Sequence, residues 1–417
     1  MSSKEEMIRE RIRILASNGD IFGRGKFVEV RDSNVNRAAQ YASLVYFFDV
    51  VLQDKSVQNV ISVVAKTQLN DYAMELMQSD VQFANEVTMY RDILPALGAD
   101  DLDVTPKFFY AQVNTNGDHS DDVVILENLK PAGFRVAKGL FLDHEHVTMA
   151  MKKLGSVHGL SYRMKRANVE KVMTLAKNLK LIHRNNSDPD RPTVTKTYFC
   201  RGFEETISHD VSGIAKKALE KLSATDKERR WDAFLAPEEP FAVFALGDFN
   251  SNNIMYKYDE TERPIDAKFF DFGTSIYGDP SIDIAFFLYM NTNEENRQKY
   301  WDDWFKSYWD GLTDIEPQPG FTRDKFLANF SKRAIYGFLP TSSYLPAMMS
   351  EGAPTTIEDW LKQMVAVPLE EKVNLAKTIG GDEATTATSN IVRHLYDKGF
   401  LKDFVEKFDT SRAESAS

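Results

Sequence analysis

Cysteine is almost absent: Cys200 is the only one in 417 residues, so no intramolecular disulfide can form and the fold must rest on its apolar core. No run approaches the ~20 apolar residues needed to cross a bilayer. Residues 1–20 are charged and lack the apolar stretch of a secretory leader, so the expected location is the cytosol. An excess of basic residues is missing too: 51 Lys and Arg stand against 62 Asp and Glu, a formal charge of −11. That argues against a general binder of nucleic acid or of anionic membranes, both of which call for a positive surface. Internal repeats and long linkers are also lacking.

What remains is the balance of a globular chain, 43% hydrophobic and 27% charged, with 28 Phe and 16 Tyr to fill sizeable cores. Ile8, Ile12 and Leu15 at helical spacing predict a short helix over 4–16. Val45–Val51 and Val60–Lys66, separated by the polar turn Gln53-Asp54-Lys55-Ser56, read as a hairpin. A helix is predicted near 80–95, ended by Pro95. Strand-like runs follow at Lys107–Val113 and Val123–Leu129, with Asn116-Gly117 in the turn between them. After Lys130-Pro131 the patterns are helical, with a helix starting at Asp143 and one strand-rich island at 241–272. The tail Thr410–Ser417 is small and polar and is expected to be disordered. A small sheet with one main helix, then a larger helical body, predicts an α+β chain of two lobes with a ligand cleft between them. The boundaries expected are 1–130 for the first lobe and 131–409 for the second, with 410–417 as tail.

The strand island carries the chemistry. An apolar strand runs into Gly247-Asp248, the chain loops through polar residues to Asn253, and a second strand ends at Asp271-Phe272-Gly273. Phosphoryl transfer requires one carboxylate to take or orient the hydroxyl proton, and an amide oxygen and a second carboxylate to hold Mg²⁺ on the phosphates. Asp248 suits the first role; Asn253 and Asp271 suit the others, since oxygen ligands match a hard cation. Taken singly, Asp248 and Asn253 also fit ordinary turn formers. Lys66 continues the face of Val60, Ser62 and Val64, and Glu86 falls on the apolar stripe of Phe83, Val87 and Tyr90. A carboxylate there is costly unless paired, and Lys66 is the expected partner, held against the α- and β-phosphates of ATP. The bland alternative has Lys66 reaching solvent and Glu86 at the stripe's edge. In Val124-Ile-Leu-Glu-Asn-Leu129, the Glu127 carbonyl and the Leu129 amide are the candidates for adenine; a plain strand end fits these residues as well.

These segments resemble the ecdysteroid kinase-like family, relatives of aminoglycoside and choline kinases. The resemblance rests on Val63-Val-Ala-Lys66, Phe83-Ala-Asn-Glu-Val-Thr-Met-Tyr90 with Leu94-Pro95, and Ile125–Phe134. It continues through Leu154-Gly-Ser-Val-His-Gly-Leu-Ser161, Gly247-Asp248 with Asn252–Met255, and Phe270-Asp271-Phe272 on to Asp283. It implies a protein-kinase-like bilobal fold, ATP and Mg²⁺ as cofactors, and a small-molecule alcohol, an ecdysteroid or another, as substrate. It also implies that Asp283 ties down the catalytic loop, although a carboxylate in a first helical turn is favoured by the dipole alone. Two departures stand out. Leu246 occupies the place of the family's histidine, and the phosphate-covering turn, Ala38-Ala-Gln-Tyr-Ala-Ser43, is not glycine-rich; Ser43 is its candidate phosphate contact.

Gly23 and Gly25 mimic a phosphate loop but lie too far ahead of the hairpin and read as turn glycines. His144 and His146, two apart, do not share a helix face, which argues against zinc. His158 reads as a core histidine, and Trp301, Trp304 and Trp309 as helix packing. The alternative to an active kinase is a nucleotide- or metabolite-binding pseudokinase, suggested by Leu246. A protein kinase is disfavoured, since Gly278-Asp279-Pro280 leads directly into a helix where an activation segment would have to fit.

Overall fold

The computed structural model describes residues 3–33, 43–68, 78–114, 118–182, 189–224, 232–350 and 367–409. Alternating apolar residues build the first sheet. Strands β1 (Lys26–Asp32), β2 (Leu44–Asp54), β3 (Val57–Thr67), β4 (Phe108–Gln112) and β5 (Val123–Glu127) are joined in the order β1-β2-β3-β5-β4, antiparallel throughout. The β2–β3 hairpin turns through Lys55 and Ser56, with Lys55 left-handed at φ 53°. Period two splits the sheet into faces. Phe48, Val50, Leu52, Val63, Ala65, Val123 and Ile125 form a small core with Ile8 and Ile12 of helix α1 (Ser3–Asn18). Val124 and Leu126, of the opposite parity, join the main core with helix α2 (Ser79–Thr88).

The helix bearing Glu86 does not end at Pro95. After α2 the chain widens into a π-type turn over Met89–Ile93 and runs on through Leu94–Leu97, where Gly98 stops it at φ 77°. Proline lacks an N–H and crowds the carbonyl four residues back; the wider turn accommodates both effects, so the chain stays helical past the proline.

The remaining chain is mostly helical: α3 (His144–Ala167), α4 (Val169–Ala176), α5 (Arg191–His209), α6 (Ile214–Ala224), α7 (Ser281–Asn291), α8 (Glu294–Ile315), α9 (Arg323–Arg333), α10 (Phe338–Met349), α11 (Leu369–Thr378), α12 (Gly381–Asp397) and α13 (Phe400–Lys407). Asp143 caps α3, accepting from the His146 N–H. Glycines let α3 and α8 lie backbone to backbone: a Cβ on Gly155 would stand 2.0 Å from the Tyr308 carbonyl oxygen, and one on Gly311 would stand 1.9 Å from that of Lys152. Trp301 and Trp304 are buried in the main core, with Trp309 packed against it. Among these helices lie β6 (Phe134–Val136), β8 (Ile254–Tyr258) and β9 (Pro264–Phe269) as one three-stranded sheet, and β7 (Val243–Ala245) paired with β10 (Ile276–Gly278). Gly23 and Gly25 are turn glycines, at φ 121° and 138°. Asn116-Gly117, Ala38–Ala42 and the tail Thr410–Ser417 lie outside the described residues.

Candidate functional site

Strand β3 delivers Lys66, flanked in register by Val45 and Val124. Its ammonium lies 2.7 Å from Glu86 Oε2 and 2.9 Å from Asp271 Oδ1, so one cation serves two carboxylates. Lys66 and Glu86 are 8% and 2% exposed. Burial alone would lower the lysine; Asp271 and Glu86 overturn that and hold it well above its ordinary value, as a permanent cation. Burial raises Glu86, Lys66 opposes the rise and the Asp271 charge adds to it, leaving the carboxyl above its ordinary range. The Phe272 N–H also donates to Glu86. Beside them, burial and the same carboxylates push the Tyr90 phenol well up, and its ring lies against Phe272 at 4.9 Å.

Strand pairing brings Asn253 to Asp271. Ile254 lies opposite Phe269, and the Phe270 N–H donates to the Asn253 carbonyl at 3.1 Å. The Asn253 side-chain amide nitrogen lies 2.8 Å from the Asp248 carbonyl and 3.1 Å from its carboxylate. Asn253 thus spends its side-chain amide hydrogens on Asp248 and its main-chain carbonyl on Phe270, and its side-chain Oδ1 is the atom it can offer a cation. Asn250, which the sequence reading passed over, donates to the same carboxylate at 3.0 Å. Asp271 has φ 66°, a left-handed conformation seldom held by a non-glycine residue and one that concentrates at functional sites.

Helix α7 pins the Asp248 loop at both ends. Asp283 accepts from the N–H groups of Leu246 and Gly247, each at 2.7 Å. Asn291 accepts from the Ser251 N–H at 3.0 Å and donates to its hydroxyl at 2.7 Å. Gly247 holds φ 85°, and a Cβ there would stand 2.2 Å from the Thr274 carbonyl oxygen. The Leu246 side chain is buried in the main core. His158 is more than a core histidine: fully buried, it bridges Tyr308 at 2.8 Å and Asp283 at 3.0 Å. Its partners come from elements far apart in the chain, and no local pattern announces them.

At the end of β5 the Leu129 carbonyl accepts from the N–H groups of Ala132 and Phe134, so what Leu129 can offer a ligand is its own N–H. Glu127 ends β5 opposite Val63, and its side chain accepts from the Lys107 N–H at 3.1 Å. A cavity of about 630 Å³ opens here, but its wall is made by Phe22, Ser33, Ile61 and Phe109 as well as Glu127 and Asn128, and Lys66, Glu86, Asp248, Asn253 and Asp271 do not line it. Ser43 is buried just before β2, and among the described residues its hydroxyl has no hydrogen-bond partner.

A strand lysine paired to a helix glutamate, beside an Asp–Asn loop and a strand-end Asp-Phe-Gly, describes a kinase-like protein. The family model of the ecdysteroid kinase-like family matches residues 37–318. The chain belongs to that family, whose kinase-like character implies use of ATP and a small-molecule substrate in general terms. No curated protein matches it. Among the described residues no helix is long and apolar enough to cross a membrane, and no cluster of three His, Cys, Asp or Glu side chains is disposed to hold a metal.

Proposed function

We propose that this protein is an ATP-dependent kinase that phosphorylates a hydroxyl of a small metabolite, an ecdysteroid or another alcohol. In this reading the chain is bilobal: residues 1–130 position the nucleotide, and 131–409 carry the catalytic loop and the acceptor pocket. Lys66, oriented by Glu86, meets the α- and β-phosphates; the Glu127 carbonyl and the Leu129 N–H meet adenine; Ser43, the last residue of the phosphate-covering turn, meets a phosphate. Asp248 draws the proton from the acceptor hydroxyl as its oxygen bonds to the γ-phosphorus, the bond to the β-bridging oxygen breaks, and ADP leaves. The donor set left by Asn253 and Asp271 is oxygen only, which fits Mg²⁺; when bound, the ion neutralises phosphate charge. The cytoplasm suits such an activity.

The observation that carries the reading is Lys66 shared between Glu86 and Asp271, beside an Asp248 whose loop is fixed from α7. Loss of the family histidine at Leu246 leaves that loop held, since Asp283 grips its backbone and His158 steadies Asp283 from behind, and this favours turnover over a pseudokinase. The test is ADP release with a panel of steroids, sugars and amino alcohols. Wild type should turn over with at least one acceptor. Asp248→Asn should lose about 10²–10⁴-fold in rate while binding MgATP unchanged. Equal ADP release by wild type and Asp248→Asn across every acceptor class would sink the reading, and ATP binding undiminished by EDTA would remove Asn253 and Asp271 from the metal.

A further inference from the structure

Asn85, beside Glu86 on α2, is a fully buried amide that the phosphotransfer reading leaves unused. It is 1% exposed, and its side chain is satisfied entirely by backbone from two other segments. Nδ2 donates to the Lys180 carbonyl at 2.8 Å and to the Gly273 carbonyl at 3.2 Å; Oδ1 accepts from the Lys180 N–H at 2.9 Å. Bonding both the N–H and the C=O of one residue is what a neighbouring strand does, here achieved by one side chain. Lys180 lies just beyond α4, and its neighbours Leu179 and Leu181 pack on the main core. Gly273 lies two residues past Asp271, inside the turn in which the Ser275 N–H donates to the Phe272 carbonyl, and a Cβ there would stand 3.0 Å from Gln82 Cβ, so this turn rests directly on α2. Asparagine is a weak helix former whose side chain competes for backbone bonds. In the middle of α2 it offers no local advantage, only this tertiary one.

We propose that Asn85 is a positioning residue that locks α2 to the Asp271 turn and to the stretch around Lys180, holding Lys66, Glu86 and Asp271 together in the absence of nucleotide. The inference rests on the phosphotransfer reading of those three residues and adds how their arrangement is kept. Helix α2 cannot swing away as a body without breaking, at once, the three hydrogen bonds made by this one buried side chain. Movement of the Lys180 stretch is likewise transmitted to the Asp271 turn through one rigid amide.

The test uses Asn85→Leu, similar in size but unable to bond, with Asn329→Leu as control; Asn329 is a buried amide on α9 that donates to Asp279. Backbone hydrogen exchange is read without nucleotide, and MgATP binding by calorimetry. Asn85→Leu should raise exchange tenfold or more in 178–182 and 270–275 together and weaken MgATP binding at least tenfold, while Asn329→Leu does neither at a comparable loss of melting temperature. Exchange unchanged in either segment, or raised equally by Asn329→Leu, overturns the proposal. Should Asn85→Leu fail to fold, Asn85→Ser is read in the same way. A wild type that binds no MgATP would refute the phosphotransfer reading, while the exchange result decides the lock independently.

Discussion

Lys66 satisfies two carboxylates from one ammonium, and this makes its removal informative. In Lys66→Met, Glu86 is left buried beside Asp271 with no cation. Deleting one partner of a buried pair typically costs about 3–5 kcal/mol, so the melting temperature should fall sharply. Lys66→Met with Glu86→Gln removes the stranded charge and should recover most of that loss, yet MgATP affinity should stay at least tenfold below wild type. Recovery of both stability and affinity in the double variant would show that Lys66 has only a structural role. The sequence exposed Lys66 and Glu86 separately, each by its position on a periodic face. It did not expose Asp271 as the second partner, because that depends on where the end of β9 comes to rest against β3.

Periodic elements were legible where one face is buried: the β2–β3 hairpin by its alternation, and α2 by Phe83, Glu86, Val87 and Tyr90. Pro95 misled because a local stop signal was answered by a wider turn, which no pattern in the neighbouring residues betrays. The roles of Asn291, His158 and Asn85 were equally hidden, since each acts through backbone or side chains brought in by tertiary packing. Helix α7 grips the Asp248 loop only because Gly247 can hold a left-handed turn tight against Thr274. Gly247→Ala sets a Cβ against that carbonyl. The forced shift should cost about 1–3 kcal/mol, with ~1 kcal/mol more for the backbone conformation. Urea denaturation should show that loss, and ADP release should fall by more than the unfolded fraction explains. Unchanged stability would mean that the turn relaxes freely and that α7 does not fix it.

Across the whole molecule, stability should depend on pH through His394 on α12, which is buried against Trp301 with Nδ1 at 3.0 Å from the Tyr289 hydroxyl. Burial, reinforced by the Arg297 and Lys398 cations, lowers it from 6.5 to about 3. The unfolded chain therefore binds more protons between those values. The contribution is complete above pH 6.5 and is lost as pH falls through the window, by at most ~1.4 kcal/mol per unit. Between pH 7.5 and 4.5, wild type should lose roughly 2 kcal/mol more than His394→Phe, measured by urea titration at each pH; identical losses would contradict the assignment.

The small core under α1 bears on where this protein begins and ends as a cooperative unit. Ile8 and Ile12 are 1% and 0% exposed beneath the outer face of the first sheet, yet they precede the family match at 37–318. Phe326, Phe330, Ile391, Leu395, Leu401 and Phe404 in the main core all follow it. The family match and the packed cores thus have different borders here: a chain trimmed to the shared family segment would keep Lys66, Asp248 and Asp271 while discarding side chains that close both cores.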